Sequence, residues 1–430
     1  YIHMAGGLLQ LVAIGAEDMY LTGNPQITYF KVVYRKHTNF SIEAIKQDLD
    51  GNLNTSESSL QSTISRTGDL LSKLWLDVKI KACTATTTSA SYHNWTNNTG
   101  HAFIKDVELE IGGQPIDKHY SQWFDIWNEL TDHDEKEWIG LNKHSTKQAY
   151  LSSSSPGITN DLQVYISLPF WFCRNPGLAL PLIAMQYSDT ILKINTRSVN
   201  SLINSDSLSG LTFVAPTMEL WADYIFLDVD ERKRFSESSH EYLIEQVQRS
   251  TGNPNTTDFV QTLNFTQPVK EIIWVFQNTT VASEINSTSG IDAKSNSKTS
   301  LINGNDYFNY GSYNGTSEKI GGSSDSNEAF SEMTIQLNGQ DRFIQRKASY
   351  FRTCQPIQAG HKIPTKHIYC YSFALNPEEH QPSGTCNFSR MDNATLKFVS
   401  NVTGCNLTVW AVNYNVLRIM SGMGALAYVN

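Results

Sequence analysis

The chain is poor in charge. Only 17% of its 430 residues are Asp, Glu, Lys or Arg, whereas an ordinary globular domain carries about a quarter. The surface must therefore be wetted mainly by Ser, Thr, Asn and Gln. Positive charge is the scarcer kind, with 33 Lys and Arg against 42 Asp and Glu and a formal charge of −9. Arg232-Lys233-Arg234 and the stretch Arg342 to Lys347 are short and not interleaved with aromatics. Phosphate binding needs clustered cations, so the chain is a poor candidate for coating nucleic acid.

Other signals are missing as well. The six cysteines (83, 173, 354, 370, 386 and 405) include no C-x-x-C pair, which argues against a zinc ribbon or a thioredoxin-type motif. A chain this long does not need disulfide staples, and reduced, mostly buried thiols are expected. No apolar run approaches the roughly 20 residues that cross a bilayer. Tyr1 to Gly7 lacks a charged region followed by an apolar stretch, so no signal peptide is visible. Met4 reads as the natural start behind a cloning remnant, Tyr1-Ile2-His3. The expectation is a protein made and folded in the cytoplasm.

What the chain does have is aromatic bulk, with 19 Phe, 19 Tyr and 9 Trp, and apolar patterning of period two. Such alternation is the signature of a half-buried strand. In Leu74 to Lys81, Leu74, Leu76, Val78 and Ile80 point one way, and Trp75, Asp77, Lys79 and Lys81 the other. Similar runs occur at 103–111, 162–172, 187–194, 217–227, 271–277, 333–337, 368–375, 395–399 and 406–412. Helical patterning is confined to Ser121 to Leu130, Ser239 to Gln248 and Leu8 to Met19.

An internal repeat organises these runs. Val107 to Gln114 (VELEIGGQ) aligns with Met333 to Gln340 (MTIQLNGQ), each with apolar residues six, four and two positions before Gly113 or Gly339. Glycine at a strand end supplies the positive φ of a tight turn. Leu168 to Phe172 aligns with Tyr369 to Phe373, and Met218 to Ala222 with Leu407 to Ala411. Three matches in one order predict a duplicated β-unit. The first unit carries its extra length at 114–161 and the second at 278–331, a Ser/Asn/Gly tract with few large apolar residues. A charged linker, Asp228 to Phe235, lies between them. Two units of roughly eight strands with long uneven loops fit the double-sheet jelly roll better than an immunoglobulin sandwich.

Motifs for chemistry are thin. His240-Glu241 begins like the zinc-protease H-E-x-x-H, but Ile244 stands where the second imidazole must be, so metal is not expected there; a helix start near Ser238 or Ser239 explains the pattern better. Asp228-x-Asp230 reads as solvated linker, the acidic run Asp132 to Glu137 as an exposed loop, and Ser421 to Gly424 as a flexible tail. His119, His133 and His144 have no ligand spacing. No nucleophile elbow, phosphate loop or dinucleotide fingerprint occurs. Catalytic, cofactor and metal residues are therefore assigned to none, although paired carboxylates of a jelly-roll glycosidase stay open because their spacing is set in three dimensions. Asn-x-Ser/Thr sequons at Asn94, Asn97, Asn278, Asn286 and Asn314 fall in predicted loops and are candidate glycosylation sites; Asn387 and Asn393 lie in or near strands.

Several long segments resemble the major capsid proteins of nucleocytoplasmic large DNA viruses, most of all their algal, chlorovirus-like branch. They are Ala5 to Arg35 (AGGLLQLVAIGAEDMYLTGNPQITYFKVVYR), Arg66 to Asp69 (RTGD), Asp106 to Tyr120, Pro176 to Tyr187, Asp223 to Asp228 (DYIFLD) and His240 to Gln246 (HEYLIEQ). The second half adds Ile335 to Phe343, Gln381 to Leu396 and Asn413 to Tyr428. The likeness spans both ends and fails at 82–101, 131–161 and 279–330. Tyr1-Ile2-His3 departs from the family, whose chains begin at the equivalent of Met4.

The resemblance implies an all-β chain of two consecutive eight-stranded jelly rolls with few short helices. The expected partition is an inner-face segment at 1–26, a first jelly roll at 27–228, a linker at 229–240 and a second jelly roll at 241–430 with its long 279–330 loop. It further implies a structural protein, not an enzyme, that forms a homotrimer. Its pseudo-hexagonal capsomers would tile an icosahedral shell, meeting neighbouring capsomers and minor capsid proteins over an internal membrane without touching the genome. The diverged segments would be outward loops, and the protein would reside in the virion after assembly in the host cytoplasm. The competing readings are a carbohydrate-binding or carbohydrate-cleaving β-sandwich, suggested by abundant Trp and Tyr without basic surface, and a minor capsid-like paralogue.

Overall fold

The structure is a computed structural model that describes residues 6–85, 93–96, 98–131, 157–158, 161–205, 211–254, 258–278, 305, 307–308, 310, 328–400 and 405–428. Residues up to Asn39 form a unit of their own. It holds two short helices, α1 (Gly6–Val12) and α2 (Met19–Thr22). The single helix expected over Leu8 to Met19 is split, because Gly15 leaves the helical path and donates its N–H to the Asp18 carboxylate at 2.9 Å.

The second unit begins at Phe40, and among the described residues its main sheets are built from two sets of eight strands, with further short strands beside them. The first set is β1 (Phe40–Gln47), β2 (Ser58–Thr63), β3 (Leu70–Ile80), β4 (Ile104–Ile111), β5 (Gln114–Tyr120), β6 (Leu162–Ser167), β7 (Thr190–Thr196) and β8 (Thr217–Leu227). The second set is β9 (His240–Gly252), β10 (Asp258–Thr262), β11 (Pro268–Asn278), β12 (Phe330–Leu337), β13 (Gln340–Asp341), β14 (Ile368–Ser372), β15 (Ala394–Ser400) and β16 (Cys405–Met420). Pairing gives sheets ordered β1-β8-β3-β6 and β2-β7-β4-β5, then β9-β16-β11-β14 and β10-β15-β12-β13. Each strand of the second set holds the place of the strand eight before it. This is the jelly roll, twice.

The alternation read in β3 is the burial observed: Leu74, Leu76, Val78 and Ile80 are buried, and Trp75, Asp77 and Lys79 half-buried. The aligned glycines close equivalent hairpins. Gly112 and Gly113 (φ 58° and 80°) join β4 to β5, and Asn338 and Gly339 (φ 49° and 83°) join β12 to β13. Two central residues with positive φ make the turn whose twist matches paired strands. Met218 to Ala222 and Leu407 to Ala411 also occupy equivalent strands, β8 and β16. The third alignment is out of step with the sheets: Tyr369 to Ser372 lie in β14, whereas Trp171–Arg174 form a helical turn after β6.

Two segments differ from the sequence reading. The charged linker is helix α3 (Val229–Glu237), whose N-cap Asp228 accepts the Val229 N–H and whose first turn carries Asp230 and Glu231, a favourable arrangement at the positive end of the helix dipole. The helix expected over Ser239 to Gln248 is strand β9, paired with β16 along thirteen residues. Cross-strand pairing overrides the helical spacing of Leu243, Ile244 and Val247, and the strand's buried positions include the polar Glu245 and Gln246, which hides its period.

The R-T-G-D segment anchors this linker. A Cβ on Gly68 would lie 2.6 Å from Tyr224 Cβ, so only glycine fits. Arg66 pairs with Asp189 at 2.7 Å. Buried Asp69 accepts the Leu227 N–H at 2.9 Å and pairs with Arg232 of the linker helix at 3.0 Å.

Candidate functional site

With no catalytic constellation in the sequence, the region that matters is the seam where the two sandwiches meet. The central strands β11 and β16 of sheet β9-β16-β11-β14 are buried on both faces. Along β11, Ile272, Trp274 and Phe276 enter the core of the second sandwich, while Ile273 and Val275 join the core of the first. β16 divides likewise: Leu407, Val409 and Ala411 face inward, and Trp410 and Val412 face the first sandwich. A strand buried on both faces reads as an unbroken apolar run, as Ile272 to Phe276 does.

Aromatic rings fill the seam. Helix Ser121–Leu130 supplies Trp123 and Trp127. Trp410 lies 5.7 Å from Trp123 and 5.6 Å from Tyr120 between ring centroids, with Trp127 5.8 Å beyond Trp123. Tilted pairs at such separations add to the gain from burial alone.

A charged network borders the rings. Glu245 on β9 accepts from Arg174 of the first sandwich at 2.5 Å and from Lys270 at 2.7 Å. Lys270 is fully buried, and the Arg174 guanidinium lies 4.0 Å over the Trp127 ring. Next to Lys270, Glu271 pairs with His361 at 2.7 Å, and His361 pairs on its other side with Glu378. Burial works against a charged imidazole, but the two carboxylates outweigh it and lift the His361 pKa to about 10. Burial likewise raises the Glu271 carboxyl, and His361, Lys270 and Arg174 together hold it below its ordinary value.

Backbone and side-chain hydrogen bonds complete the seam. The Asp117 carboxylate accepts the Val247 N–H at 3.1 Å, and Gln246 donates to the Ile116 carbonyl. Asp125 pairs with Lys366 at 2.5 Å, and the Leu130 carbonyl accepts the Lys362 N–H at 2.9 Å. The C-terminal hairpin, β16 with its return strand Met423–Leu426, reaches the first sandwich as well. Gly422 accepts the Tyr187 N–H at 2.9 Å, Gly424 donates to Ser188 at 3.1 Å, and Leu426 donates to Gln114 at 3.2 Å. Ser421 to Gly424, read as a flexible tail, is thus a docked turn. Asp106 to Tyr120, Pro176 to Tyr187, His240 to Gln246 and Asn413 to Tyr428, far apart in sequence, converge here.

The described residues around Tyr307 in the long tract 279–330 also touch the seam. Tyr307, Phe308 and Tyr310, among the few large apolar residues of this tract, are buried. Tyr307 donates its hydroxyl to the Ser201 carbonyl at 2.9 Å.

Of the candidate glycosylation sites, Asn94 lies in the short strand His93–Trp95, paired with Asn204, and Asn278 ends β11, paired with Cys405. Both are in strands rather than loops, because neighbouring segments extend the pairing to these positions. Asn97, Asn286 and Asn314 lie outside the described residues, as do Asp132 to Glu137, His133 and His144. His119 is buried in β5. No group of three or more His, Cys, Asp or Glu is placed to hold a metal among the described residues. All six cysteines are free, three of them buried, and burial pushes the Cys405 thiol up to about 11.

Sequence reasoning missed Arg174, Glu245, Lys270, His361 and Trp410. The available signal was Lys270-Glu271, two charges at the head of an apolar strand.

Comparison with known proteins assigns this architecture. Residues 28–228 match the family described as major capsid protein N-terminus, and residues 231–425 that described as large eukaryotic DNA virus major capsid protein. The major capsid protein of Pyramimonas orientalis virus is 43% identical over 99% of this chain and all of its own. That of Paramecium bursaria Chlorella virus 1 is 39% identical with the same coverage. The quasi-atomic model of the PBCV-1 virus capsid superposes with a TM-score of 0.73 at 35% identity, covering 94% of this chain and all of the other. Two jelly rolls in one chain, joined through the segments that carried the resemblance and matched along both halves, are those of the large eukaryotic DNA virus major capsid proteins, the family to which this chain belongs.

Proposed function

We propose that the chain forms the shell of an icosahedral virion, with three copies making a pseudo-hexagonal capsomer. The observation that carries this reading is the seam: two sandwiches of one strand order meet at a sheet whose central strands are buried on both faces, which holds their relative geometry. Three such chains present six similar edges while each interface differs in its residues. The function is assembly, not turnover. Residues 1–26 take the inner face over a membrane, 27–228 and 241–430 form the two jelly rolls joined at 229–240, and neighbouring capsomers and minor capsid proteins are the partners. Contact with the genome is not part of this function.

The diverged loops form the outer surface in this reading. Their described parts support it, because Cys83–Ala85 pairs with Leu211–Thr212 and Gly157–Ile158, and His93–Trp95 with Ile203–Ser205. Three loops distant in sequence therefore gather together. Asn94, Asn97, Asn278, Asn286 and Asn314 remain the candidate carriers of sugar, which an intact mass above that of the 48.3 kDa polypeptide would reveal.

Light scattering and particle averages test the assembly. The expected species has three times the chain mass and a hexagonal outline, and a persistent monomer at micromolar concentration refutes the trimer. Dominance on a gel of purified virions separates the main shell protein from a minor paralogue. Clean negatives on a glycan array and a glycosidase panel remove the carbohydrate reading.

A further inference from the structure

Beside the aromatic seam the two sandwiches leave a cleft of about 780 Å³ open between them, within the usual range for small-molecule sites. Its charge runs against the whole chain. Lys105, Arg197 and Arg249 line it with Asp106 as the one acid, although the chain carries −9 overall. Asp106 is already engaged by Lys118 at 3.1 Å and Asn195 at 2.9 Å. The remaining wall is amide and hydroxyl, including Ser121, Gln122, Gln277 and Thr408.

Two guanidinium groups are held flat on aromatic rings. Arg249 lies 4.2 Å over Tyr120, and Arg197 lies 4.4 Å over Tyr307. Stacking fixes a guanidinium by its face and leaves its edge of N–H donors to meet a ligand. Arg197 is further held by the Ala102 carbonyl at 2.6 Å and the Ser121 hydroxyl at 3.0 Å. Arg249, half of this pair, has no carboxylate partner among the described residues, and Lys105 meets only exposed Glu57 at 3.1 Å. The floor is fixed across the two sandwiches: Gln122 donates to Gln277 at 2.5 Å, and Gln277 donates to the Tyr307 carbonyl at 2.5 Å.

We propose that this cleft binds a small phosphate-bearing anion, with Arg249 as its principal contact and Lys105 and Arg197 completing the charge. Several cations around a polar wall suit a compact ligand with many acceptor oxygens, and the guanidinium fork matches phosphate geometry. The ligand bridges the two sandwiches and so bears on the angle between them.

The test is calorimetric titration of the full chain with tripolyphosphate and, separately, with adenosine triphosphate. The expected dissociation constant for at least one of them is below about 1 mM at low salt, weakening as salt rises. Arg249→Gln is expected to weaken binding about tenfold or more, and Arg249→Lys, which keeps charge but loses the fork, by less. Without ligand both variants should stay folded and melt within a few degrees of the parent, since Arg249 is exposed and loses only its aromatic stacking. Tighter binding of the nucleotide identifies a nucleotide ligand, and equal or tighter binding of tripolyphosphate identifies free polyphosphate. Absence of binding for both probes in the millimolar range, or an unchanged affinity in Arg249→Gln, overturns the proposal.

Discussion

Glu245 gives the sharpest test of how the sandwiches are joined. Its carboxylate lies 2.5 Å from Arg174 Nη1 and 2.7 Å from Lys270 Nζ, and Lys270 has no exposed side-chain surface. Glu245→Ala leaves that ammonium in the seam without its carboxylate partner, held by the Pro377 carbonyl and offset in charge by the neighbouring Glu271. Removing one partner of a buried ion pair costs about 3–5 kcal/mol. At about 2–4 °C per kcal/mol for a domain of this size, the apparent melting midpoint should fall by roughly 6–20 °C. Replacing both charges, Glu245→Leu with Lys270→Met, removes the stranded cation and should recover most of that loss, because apolar replacement of a whole buried pair is often neutral. Differential scanning calorimetry of the two variants beside the parent reads both effects. A Glu245→Ala shift of less than about 2 °C would refute the reasoning, since such a shift corresponds to at most about 1 kcal/mol. So would a double variant as unstable as the single one.

Other outcomes follow from the same geometry. The His361 pKa, raised from 6.5 to about 10, contributes stability in full below 6.5 and loses it as pH rises towards 10. The depressed Glu271 carboxyl contributes above the ordinary carboxylate range and loses its share on acidification. Melting midpoints should therefore peak between these limits, and His361→Gln should flatten the alkaline decline; an unaltered decline argues against the pairing. Trp410→Ala should cost about 3–5 kcal/mol in chemical denaturation, and a loss under about 1 kcal/mol would contradict a core continuous across the seam. Gly422→Ala meets both a φ of 80° and a Cβ position 2.5 Å from Tyr187 Cδ2, whereas Gly339→Ala meets a φ of 83° in open space. The first should cost clearly more than the second, for which about 1 kcal/mol is expected from backbone strain alone. Limited proteolysis after residue 420 should accelerate in the Gly422 variant, and equal behaviour of the two variants would dismiss the docked hairpin.

Much of the fold was legible because one sheet face is apolar and the other polar, as in β3, and because the Gly113 and Gly339 turns mark equivalent hairpins. Strand β9 was not legible: its buried positions include Glu245 and Gln246, whose partners Arg174 and Asn415 are set by tertiary pairing. The α3 linker has no apolar stripe beyond Val229 and Phe235, so its helix rests on the Asp228 cap and on Asp69. Tyr307 to Tyr310 were hidden by the Ser/Asn/Gly composition around them. Of the candidate site, the sequence displayed the segments that compose the seam but not their meeting. Gln114 and Leu426, which share a hydrogen bond, are 312 positions apart, and no local period reports a contact of that range.

The docking of the C-terminal hairpin onto Gln114, Tyr187 and Ser188 also orders events at the ribosome. The first sandwich has all eight of its strands once Leu227 has emerged, and domains fold as units while synthesis continues. One border of it nevertheless waits for Met423 to Leu426, nearly two hundred residues later. A nascent chain therefore carries an unfinished edge on its first sandwich until Met423 to Leu426 have emerged. That border is thus finished by a strand of the second sandwich rather than by the first sandwich's own residues.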